Sequence, residues 1–302
     1  MLSALPLTFV TIVEAGSITK AADTLNLAKS AVSQNLKRLE EQLGVKLAAR
    51  TTRQLSLTPA GERYYKRCKE MLALSNRAST EMEDFGAAPA GPITITAPHA
   101  MMTPIIAPAL LKVRKRFPRL IPKVIADDKR LDLIGNGIDI AISVGDLPDS
   151  NLKARRVGTL QDTLCLSPGL FNELTNNQEV LEENLQNLPY IAHFREGETT
   201  SVELTSKQTG KTLRLSFQPT VKCNTIEALA SFAREGLGVA LLPDIAIAQD
   251  LKKGLLVRLL PEYNLKPLPI YAVHVYEKLP PLSVLEVITA IEEAMTTASL
   301  DD

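Results

Sequence analysis

Hydrophobic spacing divides the chain into three stretches of different rhythm. Leu7, Phe9, Val10, Ile12 and Val13 recur at helical spacing up to Gly16, a natural stop, and predict an amphipathic first helix. Ser17 is placed to N-cap a second helix over roughly 18–25, in which Ala21-Ala22 permits a close helix crossing. Asn26-Leu27 makes a turn, and a third helix runs from about Ala28 to Leu43, ended by Gly44. Its apolar residues Val32, Leu36, Leu39 and Leu43 form one stripe, while Ser30, Gln34 and Lys37 fall on the opposite side with Ser33 on the flank. Short extended pieces at 45–48 and 54–58 then flank Ala49-Arg50-Thr51-Thr52-Arg53, a two-stranded wing with a basic tip.

From Ala60 to about Phe85 the rhythm becomes a heptad. Tyr64, Cys68, Met71, Ser75, Ala78, Met82 and Phe85 step alternately by four and three, a seam that either packs on its own domain or pairs with a second copy, as two operator half-sites would require. Gly86 to Pro92 ends it as a hinge. Beyond, strand and helix alternate: strands at Ile93–Ala97, 121–126 and Ile138–Val144 enclose a helix at 100–116 and a short one at 129–136. A second set follows, with strands at 189–194, 213–221, Val239–Leu242 and 255–259 and helices at 225–235 and 244–252. A strand at 268–276 and a helix at 282–298 close the chain. Such alternation implies parallel sheets with right-handed crossovers. Crossing strands near 157–166 and 264–270 make two lobes with a cleft at their strand ends. The expected class is α/β multi-domain: a winged helix-turn-helix at 1–61, a linker helix at 62–86, a hinge at 87–92 and a two-lobed α/β domain at 93–302. In that domain lobe 1 covers about 93–162 and 269–302, and lobe 2 about 163–268.

Charge changes the picture more than composition does. The 302 residues carry 34 Lys and Arg against 34 Asp and Glu. Split at residue 70, that neutrality becomes +5, from eleven basic and six acidic residues, and −5 for the remainder. A small basic module joined to an acidic body is the electrostatic footprint of nucleic-acid binding. Lys29, Ser30, Ser33, Gln34 and Lys37 are the candidate base and phosphate contacts of a helix laid in the major groove, where Gln reads adenine and Lys reads guanine. Arg50, Thr51 and Arg53 place the wing tip on phosphates or in the minor groove. Cys68, Cys165 and Cys223 form neither a disulfide framework nor a zinc spacing, which fits a cytoplasmic chain. ALPLTFVTIV at 4–13 lacks the basic leader of a signal peptide, and no run is long enough to span a bilayer.

LTFVTIVEAGSITKAADTLNLAKSAVSQNLKRLEEQLGVKLAARTTRQLSLTPAGERYY, roughly residues 5–65, resembles the LysR-type transcriptional regulators. Phe9, Gly16-Ser17, Ala21-Ala22, Leu25, Ser33, Leu39-Glu40, Leu43-Gly44, Leu47, Arg50 and Leu57-Thr58-Pro59-Ala60-Gly61 carry the likeness. Two positions depart from it: Ala48 stands where the family has Phe, and Ala28-Lys29 replaces the usual Gln/Pro character at the start of the recognition helix. DIAISVGDLPDSNLKARRVG (139–158) and NTIEALASFAREGLGVALLP (224–243) extend the resemblance to the family's effector domain, which is similar to periplasmic binding proteins. Ser143 there replaces a frequent Arg of the cleft. The resemblance implies a bacterial, ligand-responsive regulator that binds pseudo-palindromic operator DNA as a dimer or tetramer, with Tyr64, Cys68, Met71, Met82 and Phe85 at the dimer helix and RNA polymerase as a further partner.

Candidate effector contacts sit at strand ends and helix starts, where free N–H groups favour anions. They are Pro98, His99, Ala100, Met101 and Thr103 at the first helix of the body and Asn224 with Thr225, both places where the resemblance implies effector contacts, and Phe194 and Arg195 after a strand of the second lobe; the resemblance adds Ser143. Arg195 has the chemistry to pair with a carboxylate. His99, His193 and His274 show no metal or triad spacing, and Gly236-x-Gly238 ends a helix and precedes a strand, the wrong order for a dinucleotide loop. No enzyme, cofactor or metal is expected. Two other readings stay open on sequence alone. One is a small-molecule binding protein or enzyme of periplasmic-binding fold whose first helices mediate assembly; the other is a winged-helix regulator responding to a metal oxyanion.

Overall fold

The computed structural model describes residues 4–50, 55–83, 88–147, 152–177, 185–276 and 280–300. At the N-terminus α1 (Ala4–Ala15), α2 (Ile18–Leu25) and α3 (Lys29–Leu43) form the predicted three-helix unit. Ser17 caps α2 by accepting from Lys20 N at 3.2 Å, and Asn26, in the left-handed region with φ 52°, closes it. Phe9, Ile12, Ala21, Ala22, Val32, Leu36, Leu39 and Leu47 make one core. Leu43, expected at the end of the stripe, is 39% exposed because the last turn of α3 runs past that core. The wing is β1 (Ala48–Arg50) paired antiparallel with β2 (Leu55–Leu57). Thr51 and Arg53 lie outside the described residues, as do the Arg50 side chain and Phe85.

α4 (Pro59–Glu83) follows with Thr58 as its cap, Thr58 Oγ1 accepting from Gly61 N at 3.0 Å. Its heptad seam is divided rather than continuous. Tyr64 and Cys68, expected to face a partner helix, are turned inward: the Tyr64 ring meets Phe9 at 5.7 Å, and Cys68 is buried. The first two turns of α4 are needed to cover α1, and Lys69 Nζ holds Glu14 of α1 at 2.8 Å. Further along, Met71, Leu74 and Met82 are each at least half exposed and share one face with exposed Ala78. That face keeps Met71, Ala78 and Met82 of the predicted seam, adds Leu74, and is the apolar surface left outward.

The body opens with β3 (Gly91–Ala97), α5 (Ala107–Arg116), β4 (Leu120–Ala126), β5 (Ile140–Val144) and β6 (Lys153–Leu160). The predicted helix at 100–116 begins instead as a 3₁₀ turn at His99–Met101 and a π turn at Met102–Ile106. Pro104 and Pro108 supply no N–H to a regular α ladder there, so the chain winds irregularly until Ala107. The short helix expected at 129–136 is a turn. Asp132 Oδ1 accepts from Ile134 N and Gly135 N at 3.1 Å each, a local bond that competes with helix.

The second lobe runs β7 (Asp162–Leu166), α6 (Pro168–Asn177), β8 (Tyr190–His193), β9 (Thr200–Ser206), β10 (Thr212–Phe217), β11 (Pro219–Cys223), α7 (Ile226–Arg234), β12 (Val239–Pro243), α8 (Asp244–Lys252), β13 (Val257–Arg258) and β14 (Tyr263–Leu265). The single strand expected at 213–221 is two. The chain breaks before Pro219, and β10 pairs with β9 in a small sheet while β11 joins β8 in the main one. β15 (Leu268–His274) and α9 (Leu282–Leu300) return to the first lobe. The two five-stranded sheets are ordered β4-β3-β5-β15-β6 and β11-β8-β12-β7-β13; Gln161 is the short crossing from the first to the second, and Lys266-Pro267 leads from β14 of the small sheet back to β15. In the first sheet Ile140 and Ile142 face a core shared with α5 and α9, while Ala141 and Val273 face the other side with Leu133 and Ile138. No described helix is long and apolar enough to cross a membrane.

Candidate nucleic-acid interface and interlobe cleft

The polar side of α3 and the root of the wing enclose a groove of about 660 Å³, lined by Ser30, Ser33, Gln34, Lys37, Lys46 and Ala48 among others. Ser30, Gln34 and Lys37 are exposed, Ser33 is half-buried, and Lys29 stands exposed at the start of the helix. The predicted face of α3 is therefore assembled and open. Ala48 is half-buried, packs its methyl against the core and lines the groove.

Among the described residues that line this groove Glu40 is the one carboxylate, and it is neutralised within the domain. It is 7% exposed and accepts from Lys46 Nζ at 2.6 Å, Leu47 N at 3.0 Å and Ala48 N at 3.3 Å. Burial pushes its pKa up, but the Lys46 hydrogen bond and the two backbone donors outweigh burial and hold it below the ordinary carboxylate value. On the other side of the same segment Thr58 Oγ1 donates to Lys46 O at 2.6 Å, and Thr58 N donates to Leu47 O at 3.0 Å. Residues 46–48 are clamped between α3 and the first turn of α4. Sequence reading named Glu40 and Thr58-Gly61 as parts of a motif without assigning them this work.

In the body a cleft of about 830 Å³ brings together three of the expected contacts, Pro98, Ser143 and Arg195. They converge because each follows or ends a strand: β3, β5 and β8. Leu131, Leu133, Leu147 and Leu152 give the cleft an apolar wall, and Asp127, Asp128, Lys129 and Arg130 line its polar side. The other candidates separate. Met101 is 1% exposed in the core of the first lobe, since the 3₁₀ turn rotates it off the cleft. Thr103 lines a different groove, with Ile245, Gln249 and Lys252 of α8. Ala100 packs against the core of the second lobe. His99 N donates to Asp128 Oδ1 at 3.1 Å, Thr225 caps α7 by accepting from Ala228 N at 3.3 Å, and Phe194 is 64% exposed.

Two residues of this region escaped the sequence reading. Asp128 follows β4 at a strand end, the same signal that located Pro98, and its Oδ2 lies 3.6 Å from Nε2 of buried His193 across the two lobes. Asp162 begins β7 at the lobe crossing. Burial pushes its carboxyl up to about 6; Asp244 adds to the rise, Arg195 opposes it and Glu196 adds again. Because the folded value lies above the ordinary 3.8, the folded chain binds the extra proton, and stability from this group falls as pH rises from about 4 to 6. Asp162→Asn is therefore expected to raise the melting temperature near pH 7. The gap over wild type should close as pH is lowered through that window, and a gap independent of pH would refute the assignment.

Among the described residues no group of three His, Cys, Asp or Glu is placed to hold a metal ion, and all three cysteines are buried and free. Comparison with known proteins agrees with the two-part reading. Residues 7–62 match the family model for bacterial regulatory helix-turn-helix proteins of the lysR family, and residues 86–296 match the LysR substrate binding domain. The chain is 31% identical to the HTH-type transcriptional regulator PtxR of Pseudomonas aeruginosa, over 94% of this chain and 90% of that protein. It is 33% identical to the HTH-type transcriptional regulator CrgA of Neisseria meningitidis, over 89% of each. The full-length structure of the Vibrio cholerae virulence activator AphB superposes with a TM-score of 0.63 at 26% identity, over 96% of this chain and 98% of that one. These relatives are named as regulators, not enzymes. The chain belongs to the LysR family of transcriptional regulators, with a helix-turn-helix DNA-binding domain followed by an effector-binding domain.

Proposed function

We propose that this regulator grips pseudo-palindromic operator DNA as a dimer or tetramer and senses a small anionic effector between the lobes of its body. The observation that carries the DNA half is the α3 groove. Its outward groups are hydroxyls, an amide and lysines, and its one acid is already paired with Lys46. Two half-sites require two copies, and the outward apolar face of Met71, Leu74, Ala78 and Met82 on α4 is the surface that pairs them. Arg195, which shares the cleft lining with Lys129 and Arg130, recommends an anion. The setting is the bacterial cytoplasm, with RNA polymerase as the partner through which bound dimers act.

Footprinting with the full chain on the DNA upstream of a divergent neighbouring gene tests this reading. Protection of two half-sites an integral number of helical turns apart is expected, weakening steeply as salt rises. Absence of any salt-sensitive, sequence-selective protection would overturn it. A thermal-shift screen of aromatic and dicarboxylic acids then searches for the effector.

A further inference from the structure

Arg195 stands two residues beyond the start of a tightly tied loop, and its orientation is set by a neighbour. Its backbone N and its Nε both donate to His193 Nδ1, each at 3.1 Å. A ring nitrogen that receives two N–H donors is unprotonated, so the imidazole proton sits on Nε2. That nitrogen lies 2.9 Å from the Asn224 carbonyl oxygen, to which it donates. The ring is buried, and the loop beneath it is fixed by Glu196, which accepts from His193 N at 2.7 Å, Tyr190 Oη at 2.9 Å and Thr200 Oγ1 at 2.8 Å. Among the described residues the two terminal nitrogens of Arg195 have no hydrogen-bond partner, though its charge acts on buried Asp162, and Arg195 lines the same cleft as Leu131, Leu133, Leu147 and Leu152.

We infer that His193 is a positioning residue that holds Arg195 as the carboxylate-binding group of the cleft, and that the ligand class is an organic acid with an apolar body. This rests on the cleft being the effector site. A guanidinium whose Nε is already spent on a rigid acceptor presents its outer N–H edge to a ligand with little orientational freedom left to lose. The leucine wall takes the hydrocarbon.

The probes are benzoate and its neutral isostere benzamide, titrated into the full chain and followed by ligand-observed NMR. Wild type is expected to bind benzoate about tenfold more tightly than benzamide. Arg195→Gln removes that preference. His193→Asn places an amide oxygen near the Nδ1 position and keeps the acceptor for Arg195, so the preference survives. His193→Gln places an amide nitrogen near Nε2, keeps the donor to Asn224 and loses the acceptor, so benzoate weakens about tenfold while benzamide is unchanged. If the Asn and Gln variants behave alike, the positioning role is wrong, because a merely structural ring would not distinguish them. If Arg195→Gln keeps the preference, the anion is held elsewhere and the inference fails. If wild type shows no preference for benzoate, the anionic-effector reading itself falls, whatever the His193 variants do.

Discussion

Gly61→Ala is expected to destabilise the N-terminal domain by about 3 kcal/mol or more and to abolish operator binding. Helix propensity points the other way, since Ala in a helix is favoured over Gly by about 0.5–1 kcal/mol. The contact decides the sign. A Cβ on Gly61 would lie 1.9 Å from Leu47 O and 2.9 Å from Leu47 C, and both are backbone atoms that no rotamer change can move. To admit the methyl, the first turn of α4 must leave the 46–48 segment. That movement breaks the Thr58 N to Leu47 O bond at 3.0 Å and the Thr58 Oγ1 to Lys46 O bond at 2.6 Å. The wing root then loses one side of its clamp, and the Glu40 side cannot hold it alone. Gly44→Ala is the control. Gly44 has φ +69° with nothing within 4 Å of the added Cβ, so only the left-handed backbone is strained, at about 1–2 kcal/mol. Urea unfolding of both variants checks the order, and a Gly61→Ala midpoint equal to wild type would refute the clamp.

The clamp also explains what the N-terminal sequence made legible and what it did not. Helices α1 to α3 were readable because each carries its own stop, Gly16, Asn26 or Gly44, and a stripe at helical spacing. Thr58-Pro59-Ala60-Gly61 was readable as a motif, but its cause was not. The need for glycine arises from Leu47 O, which belongs to a different element. The α4 seam misled for a related reason: periodicity marks Tyr64 and Cys68 as apolar without saying whether α1 or a second copy covers them.

In the body the strand-end rule pointed to Pro98 and Arg195 and the resemblance to Ser143, and these three line one cleft. It failed at Met101 and Thr103, because Pro104 and Pro108 turn a regular helix into 3₁₀ and π turns, and face assignment depends on the winding. Strand β9 was missed although Thr200, Val202 and Leu204 alternate as buried with exposed Ser201, Glu203 and Thr205. Its buried positions include a threonine, which weakens the hydrophobic signal. The His193–Asp128 approach joins two lobes and leaves no local trace.

Gln34→Ala and Lys37→Ala are each expected to weaken operator binding about 10- to 100-fold, or 1–3 kcal/mol, while the folded domain hardly notices. Both side chains are exposed, and the ion pair of Lys37 with Glu41 at 3.7 Å joins two side chains more than 60% exposed. Such a pair contributes at most a few tenths of a kcal/mol, and alanine is at least as good a helix former. Melting temperature should therefore stay within about 2 °C. The two substitutions differ in how salt acts. Gln34 is neutral and releases no counterion, so its loss leaves the salt slope unchanged and relaxes specificity at one base position. If Lys37 meets a phosphate, its loss lowers the slope by about one and weakens all sequences alike; if it meets a guanine edge, specificity relaxes instead. Arg38, next along α3 and exposed, does not line the groove, so Arg38→Ala separates the effect of position from that of charge. Normal binding by both the Gln34 and Lys37 variants, measured on the footprinted operator at two salt concentrations, would mean that another face of α3 reads the DNA.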